Sequence, residues 1–343
     1  MKIIWLAILI VFSIKGPSVF AQMPFYQGKT VQVRVGFAAG GAFDVWARVI
    51  ANHLGRFVPG NPTFVVQNMT GGGSMIAANY IYGVAKPDGL TLGVVSPAMY
   101  IEQATGKKEV QYDWSKFSFI GSPEKTDRIF YMRADMGIRT LEDMRNVADA
   151  PRCGSTGIGS AAYYFPRLLQ DTFGLKLTIV PGYPGAADVN LAIEKGEVHC
   201  FSGTLQAYFG SEPLRTWSKT GFARVLVQGG NKRDTRMANV PTLWELMDKN
   251  KTSEIYRRLA RILLIPDEMG RPLFGPPGMP PDRLKLLRDG FTKMMTDPEL
   301  LADAKKKGLD ATPMSGEELD ALIKEVGLPS ADVVQRLKPL MEN

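Results

Sequence analysis

Hydrophobic and polar residues follow two different periods along the chain, and the switch between them marks a repeating unit. From Val31 to Phe37 (VQVRVGF) apolar and polar residues alternate, which predicts a strand. Apolar residues then recur every three or four positions, which predicts a helix, at Phe43, Ala47, Ile50, Leu54 and Phe57. The unit is therefore a strand, a short turn and a helix.

The same unit recurs further along the chain. Strand-like segments lie at 63–69 (TFVVQNM), 90–96 (LTLGVVS), 128–134 (RIFYMRA), 177–183 (LTIVPGY), 198–203 (VHCFSG) and 223–229 (ARVLVQG). Helical patterns separate most of them, and this alternation predicts an α/β protein in which mainly parallel sheets are flanked by helices. Ligands of such sheets bind beyond the carboxyl ends of the strands.

The last part of the chain has a different hydrophobic pattern. From Pro272 onward it is mostly helical, with helix starts at Pro281 and Pro298 and a capping box formed by Ser315 and Glu318. Residues 257–280 have an apolar, strand-like core among prolines. We interpret that segment as the return crossing between two domains.

Four glycine-rich turns precede helical patterns. They are AAGGAFD at 38–44, TGGGSM at 70–75, GSTGIGSA at 154–161 and GYPGAAD at 182–188. Glycine allows close approach to a ligand, and the first turn of a helix presents unpaired N–H groups and partial positive charge. One such turn alone is usually an ordinary β-to-α connection, but four together favour a cleft that binds a small anion such as a carboxylate.

The N-terminus has the features of an export signal. Lys2 precedes an apolar run from Ile3 to Ile14, and Val19-Phe20-Ala21 offers small residues for cleavage before Gln22. We expect residues 1–21 to be removed, which would lower the formal net charge from +7 to +5. The remaining chain is long enough for two domains, and its 45% hydrophobic content is that of a packed globule.

Cys153 and Cys200 are the only cysteines. Export permits a disulfide between them, and we favour that pairing, although two free thiols remain the alternative. With only His53 and His199 as further soft ligands, we expect no structural metal site.

Sequence signatures of enzymes are absent. There is no nucleophile elbow, no phosphate loop and no full dinucleotide fingerprint, so we expect no cofactor and no catalysis. Asp44 and Asp188 follow glycine turns, where an acid usually stabilises the helix dipole; alternatively, Asp44 holds its loop or a bridging water. The cluster Lys305-Lys306-Lys307 ends a helical pattern and indicates a helix C-terminus rather than a nucleic-acid site.

Taken in order, these segments resemble the solute receptors of tripartite tricarboxylate transporters, the Bug proteins. The resemblance is carried by AAGGAFDVWAR, QNMTGGGSMIAANY, KPDGLTLGVVS, CGSTGIGSA, VPGYPGAADVNLAIEKGEVHC, NVPTLWEL and FGPPGMPPDRLKLLRDGF. It implies a two-lobed periplasmic binding protein of type II-like architecture, with the ligand cleft between the lobes. We place the signal peptide at 1–21, the first lobe at 22–121 plus 268–343, and the second lobe at 122–267.

The resemblance also implies a function. It indicates a periplasmic, monomeric receptor that captures a small carboxylated solute and delivers it to a membrane permease. The alternatives are a periplasmic sensor subunit and, as a different class, a secreted hydrolase or isomerase that uses Asp44 or Asp188 as a base.

The ligand-binding residues that the resemblance implies belong to four loops. They are Ala39, Gly40, Gly41, Ala42 and Asp44 in the first, Gly72, Gly73 and Ser74 in the second, Ser155, Thr156, Gly157, Gly159 and Ser160 in the third, and Tyr183, Pro184 and Gly185 in the fourth. The family often has a lysine where this chain has Pro184, so a second solute carboxylate is less expected here. Phe43, Tyr163, Tyr164 and Tyr183 are candidates for an aromatic wall or for core packing.

Overall fold

The structure is a computed structural model that describes residues 23–156, 160–327 and 329–341. The predicted signal peptide and the site residues Gly157 and Gly159 lie outside the described residues. Two sheets with flanking helices form the fold, so the predicted α/β class is confirmed.

The first sheet has six strands in the order β11-β4-β10-β3-β1-β2. Their bounds are β1 Thr30–Val35, β2 Thr63–Asn68, β3 Thr91–Val94, β4 Ser118–Ser122, β10 Leu273–Gly275 and β11 Met314–Ser315. Strands β1, β2, β3 and β4 run in one direction, whereas β10 and β11 run antiparallel to their neighbours. Most strands therefore share a direction, as the sequence predicts.

The second sheet has five strands in the order β7-β6-β8-β5-β9. Their bounds are β5 Arg128–Arg133, β6 Arg152–Gly154, β7 Thr178–Val180, β8 Cys200–Thr204 and β9 Ala223–Gln228. Only β5 runs against the rest among these strands. β5 and β10 are the first strands that the chain forms after it crosses from one sheet to the other, so a reversed strand follows each crossing.

Thirteen α-helices lie in the described part of the chain. They are α1 Ala42–Leu54, α2 Met75–Gly83, α3 Met99–Ala104, α4 Ala161–Phe173, α5 Ala186–Glu194, α6 Leu205–Gly210, α7 Leu214–Thr220, α8 Leu243–Lys249, α9 Glu254–Met269, α10 Pro281–Met294, α11 Pro298–Lys306, α12 Gly316–Val326 and α13 Ala331–Met341. The predicted starts of α10 and α11 and the Ser315–Glu318 capping box of α12 are confirmed.

The strand-like interpretation of the apolar run within residues 257–280 was wrong. Most of that run forms the helix α9, and only Leu273–Gly275 is a strand. Helix α9 packs against α3, α4 and α13, and its residues from Ile262 to Pro266 are all buried. Burial on more than one face hides the helical period, because apolar residues then fill consecutive positions.

Two crossing segments lie side by side where the chain passes between the sheets. The backbone N–H of Thr126 donates to the carbonyl of Asp267, and the N–H of Arg271 donates to Ser122 Oγ at 2.9 Å. Gly270 lies between these contacts with φ 64° and ψ −107°, a conformation open essentially to glycine alone. A Cβ at this position would overlap the carbonyl oxygen of Glu124, so the crossing requires glycine.

The predicted disulfide is present. Cys153 of β6 and Cys200 of β8 are register partners in the second sheet, and their sulfurs are bonded. The link joins two buried strands that are 47 positions apart in sequence.

The division into lobes remains a proposal. Its boundaries near residues 122 and 268 coincide with the two crossing segments, because β1 to β4 belong to one sheet and β5 to β9 to the other. The last helix, α13, packs against α4 and α9, so the end of the chain contacts helices that belong to the proposed second lobe. Within the described residues, no helix combines the length and apolar character needed to cross a membrane.

Candidate ligand-binding site

A cleft of about 480 Å³ is lined by residues from both sheets and their helices. Several helix starts contribute to its wall: Phe43 lies in the first turn of α1, Gly72 and Gly73 precede α2, and Ser160 and Ala161 begin α4. The remaining lining residues are Phe37, Ser96, Pro97, Ala98, Met99, Glu102, Lys107, Thr126, Arg128, Thr156, Tyr164, Thr204, Pro266, Asp267, Gly270 and Arg271.

The structure brings together four of the sequence-predicted site residues. Gly72 and Gly73 of the second loop and Thr156 and Ser160 of the third all line this cleft. The second loop follows a strand of the first sheet and the third loop follows a strand of the second sheet, so elements of both sheets border the cleft.

The second loop has an unusual backbone. Gly71, Gly72, Gly73 and Ser74 have φ values of 130°, 56°, 63° and 84°, a run of left-handed residues that glycine makes possible. The N–H of Ser74 donates back to the carbonyl of Gly71, and Gly72 and Gly73 of this turn line the cleft. Ser74 itself is fully buried, and its Oγ accepts a hydrogen bond from the N–H of Ser96 at 3.0 Å.

The first loop lies beside the cleft. Ala39, Gly40, Gly41 and Ala42 are exposed, and the cleft wall begins only at Phe43. Asp44 fixes this loop: one carboxylate oxygen accepts from the N–H of Gly40 at 2.9 Å, the other accepts from Asn68 Nδ2 at 2.8 Å, and Arg48 donates to both.

Asp44 is 1% exposed, and its surroundings favour the charged form. Burial alone would raise the pKa of Asp44, but the hydrogen bonds from Arg48, Gly40 and Asn68 outweigh burial and lower the pKa to about 2. A carboxylate with four donors and a low pKa holds a loop and is poorly suited to act as a general base.

We expect Asp44→Asn to lower the free energy of unfolding by roughly 2 kcal/mol at pH 7. Because the pKa of Asp44 is lower in the folded chain than the ordinary value of 3.8, this contribution is present above about pH 4. It is lost as the pH falls toward 2 and the wild-type carboxylate takes up a proton. Urea unfolding of both proteins from pH 7 to about 2.5 measures the difference, and a difference independent of pH would contradict the assignment.

The other predicted site residues that the structure describes lie outside the cleft lining. Ser155 is buried, with its Oγ 3.4 Å from Ser160 Oγ, and its N–H donates to the carbonyl of Val180. In the fourth loop Pro184 is exposed, and Tyr183 packs against the core of the second sheet.

The aromatic wall is smaller than expected from the sequence. Phe43 and Tyr164 line the cleft, whereas Tyr163 and Tyr183 do not belong to its lining. Phe43 stacks on Phe37, with ring centroids 4.4 Å apart and an interplanar angle of 21°.

The sequence reasoning missed the segment Ser96–Met99. It follows β3 and leads into α3, and all four of its residues line the cleft. This segment contains no glycine, so only its place after the carboxyl end of a parallel strand could have indicated it. Thr204, the N-cap of α6 at the end of β8, was missed for the same reason.

The sequence reasoning also missed the charged residues of the cleft. Arg128 forms a two-point ion pair with Asp267, with Nε 3.0 Å from Oδ2 and Nη2 2.5 Å from Oδ1. Arg271 Nη1 lies 2.5 Å from Glu124 Oε2, and Lys107 Nζ lies 2.9 Å from Glu102 Oε2.

Two of these pairs are buried. The side chains of Arg128 and Arg271 are 11% and 14% exposed. Burial opposes the charge on Arg128, but Asp267 outweighs burial and raises the pKa of Arg128. Burial raises the pKa of Glu124, and Arg271 and the indole N–H of Trp46 offset part of that effect.

One group of side chains outside the cleft has the composition of a metal site. His53, Asp297 and Glu299 hold potential ligand atoms within 4.8 Å of one another. The guanidinium of Arg56 donates to both carboxylates and contacts His53 Nδ1, so a cation of the protein already compensates part of their negative charge.

A cleft bordered by helix N-termini that follow strands of two sheets is typical of a binding protein. Similarity to known proteins shows the family of binding protein. A family model described as the tripartite tricarboxylate transporter family receptor matches residues 46–339. The chain belongs to this family. It is therefore a solute-binding receptor, and receptors of this family are periplasmic and serve transport.

Similar proteins match this chain over nearly its whole length. A Cupriavidus necator protein described as a UPF0065 protein in the gbd 5'region is 24% identical over 92% of this chain and 90% of its own length. A TctC solute-binding protein from Polaromonas has a TM-score of 0.67 at 20% identity, with 92% of this chain and 98% of that chain covered. MatC from Rhodopseudomonas palustris, solved with bound malate, has a TM-score of 0.60 at 21% identity, with 92% of this chain and 99% of that chain covered.

Proposed function

We propose that this receptor binds a small carboxylated solute in the cleft and holds the carboxylate mainly with backbone N–H groups and hydroxyls. The observation that carries the proposal is the convergence of the left-handed Gly71–Ser74 turn and the start of α4 on one cleft. Backbone groups at a helix start match an anion in both charge and hydrogen bonding.

Two structural neighbours support the same chemistry. MatC from Rhodopseudomonas palustris holds malate, and a second protein of that organism was solved with adipate. Both ligands are carboxylates, and both proteins share the fold of this chain.

The binding free energy expected of such a receptor requires more than helix dipoles. Micromolar affinity corresponds to about −8 kcal/mol, whereas one helix end contributes ~0.3–1 kcal/mol, or ~2 kcal/mol when partly buried. Charge-assisted hydrogen bonds at roughly 1.5–3 kcal/mol each supply the remainder. Thr156 and Ser160 are placed to donate such bonds, because both line the cleft beside the start of α4.

Closure of the two proposed lobes would complete the site. The first loop at 39–42 and the fourth at 183–185 lie outside the cleft lining, and movement about the paired crossing segments would bring them toward the solute. Ser74 and Ser155 would support the loops from behind, because both are buried.

The wider role follows from the family. We propose that residues 1–21 direct export and are removed before Gln22, that the receptor works as a monomer, and that it delivers its solute to a membrane permease. No catalytic role is proposed, because the low pKa and four donors of Asp44 do not suit the base that a hydrolase or isomerase would need.

A thermal-shift screen against mono-, di- and tricarboxylates, followed by calorimetry, tests the proposal. Ser160→Ala should weaken binding of the most stabilising carboxylate by roughly tenfold or more, because one charge-assisted bond is lost. Ser218→Ala is the matched control, since its hydroxyl donates to the carbonyl of Arg215 and lies outside the cleft lining. Unchanged affinity in Ser160→Ala would remove Ser160 from the site.

A further inference from the structure

The cations of the cleft are already matched by acids of the protein. Lys107, Arg128 and Arg271 line the cleft, and each lies 2.9 Å or less from a carboxylate oxygen. The three acids are Glu102 and Asp267, which also line the cleft, and Glu124 behind it. The described wall of the cleft therefore carries balanced charge.

The two arginines are held in these pairs by several contacts. Arg128 binds both oxygens of Asp267, and Asp267 is further contacted by the hydroxyl of Thr126. Arg271 stands over the ring of Phe43, and its partner Glu124 also accepts from Trp46 Nε1. If either arginine turned toward a solute, it would leave a buried carboxylate without its ion pair, which is costly.

One solute carboxylate can be bound without these arginines. The Gly71–Ser74 turn and the start of α4 provide backbone N–H groups, and Thr156 and Ser160 provide hydroxyls. A second carboxylate would find no uncompensated cation in the described lining, and it would approach the acids Glu102 and Asp267. Desolvation of that second charge would therefore be poorly compensated.

The rest of the cleft suits an apolar body. The partly exposed rings of Phe37 and Phe43 stack to form one wall, and the buried residues Pro97, Met99 and Tyr164 also line the cleft. An aromatic ring of the solute can pack offset or edge-on against such rings, which adds to the area it buries.

We propose that the solute of this receptor carries a single carboxylate on an apolar, ring-bearing body, because every cation lining the described cleft is paired with an acid and stacked phenylalanines form its wall. This inference rests on the proposed carboxylate function and narrows it. It sets this receptor apart from neighbours that were solved with the dicarboxylates malate and adipate.

Four carboxylic acids used as test ligands show separately how affinity depends on the number of carboxylates and on the presence of a ring. Calorimetric titration of the purified protein at about pH 8, where free carboxylic acids in solution are ionised, would use 4-methylbenzoate, terephthalate, hexanoate and adipate. We expect the affinity for 4-methylbenzoate to be at least about tenfold higher than that for terephthalate. The affinity for hexanoate should exceed that for adipate by a similar factor. We also expect 4-methylbenzoate to bind more tightly than hexanoate.

The outcomes distinguish the inference from the function on which it rests. Tighter binding of either dicarboxylate than of its matched monocarboxylate would overturn the inference and leave the carboxylate function intact. Tighter binding of hexanoate than of 4-methylbenzoate would also overturn it. If none of the four acids bound at concentrations up to about 10 mM, the carboxylate function itself would be contradicted.

A variant tests the charge balance directly. Asp267→Asn removes the acid that neutralises Arg128, so we expect terephthalate to bind about tenfold more tightly than it binds wild type, with 4-methylbenzoate changed by less than about threefold. Asp135→Asn is the matched control, because Asp135 pairs with Arg133 outside the cleft lining, and its affinities should equal those of wild type. If the Asp267→Asn protein folds but binds terephthalate no more tightly than wild type does, the charge balance proposed for the cleft is contradicted. If that variant does not fold, the wild-type titrations still decide.

Discussion

Gly270→Ala should lower the free energy of unfolding by about 4 kcal/mol, the largest effect expected of any single substitution considered for this receptor. Two costs add. An alanine would be forced into a backbone conformation with φ 64° and ψ −107°, and its Cβ would overlap the carbonyl oxygen of Glu124 on the neighbouring crossing segment. Urea unfolding followed by tryptophan fluorescence measures the loss.

Gly278→Ala is the matched control for this substitution. Gly278 also has a positive φ, 76°, but a Cβ there would meet no atom within 4 Å. Only the left-handed strain remains, so we expect a loss of about 1 kcal/mol. Equal losses in the two variants would show that the close approach of the crossing segments at Gly270 does not exist in solution.

The double substitution Cys153→Ala with Cys200→Ala should lower the free energy of unfolding by about 4 kcal/mol in the chain-entropy description. The bond closes a loop of 47 positions, and the reduced unfolded chain gains the freedom that the bond removes. Urea unfolding of the double variant and of wild type measures the difference.

Reduction of the wild-type protein provides the control for the disulfide. Wild type unfolded in the presence of a strong reductant should lose most of the same stability, whereas the double variant should not respond to reductant. Two reactive thiols in unreduced, unfolded wild type would contradict the disulfide outright.

Much of the fold could be predicted because its signals are local. The alternation in Val31–Phe37 and the helical spacing after Phe43 determine β1 and α1, and the capping box of Ser315 and Glu318 begins α12 as predicted. Helix α9 was missed, because buried faces on several sides remove the helical period and Pro266 lies within the helix.

In the candidate site, too, the residues with a local sequence signal could be predicted and those that depend on tertiary structure could not. Gly72 and Gly73 could be found from sequence, because a run of glycines is itself the signal for a left-handed turn. Arg128 and Asp267 could not be found, because they are 139 positions apart and meet only where the two crossing segments lie side by side. Such a pair depends on tertiary structure, and neither residue stands in a motif.

Asp44 shows how the structure can choose between alternatives that the sequence leaves open. The sequence allows a helix-dipole acid, a loop anchor or a catalytic base. The bonds from Gly40, Arg48 and Asn68 assign it to the loop, which explains why the first glycine turn keeps its shape beside the cleft.

The cleft is proposed to recognise the carboxylate of its solute, and a titration with a matched neutral ligand separates recognition of the charge from recognition of the shape. The carboxylate that stabilises the protein most would be compared by calorimetry with its own primary carboxamide, which keeps the shape and removes the charge. We predict micromolar binding of the carboxylate and a carboxamide affinity about thirtyfold or more lower, from the loss of charge-assisted hydrogen bonds. Equal affinities for the two ligands would contradict the claim.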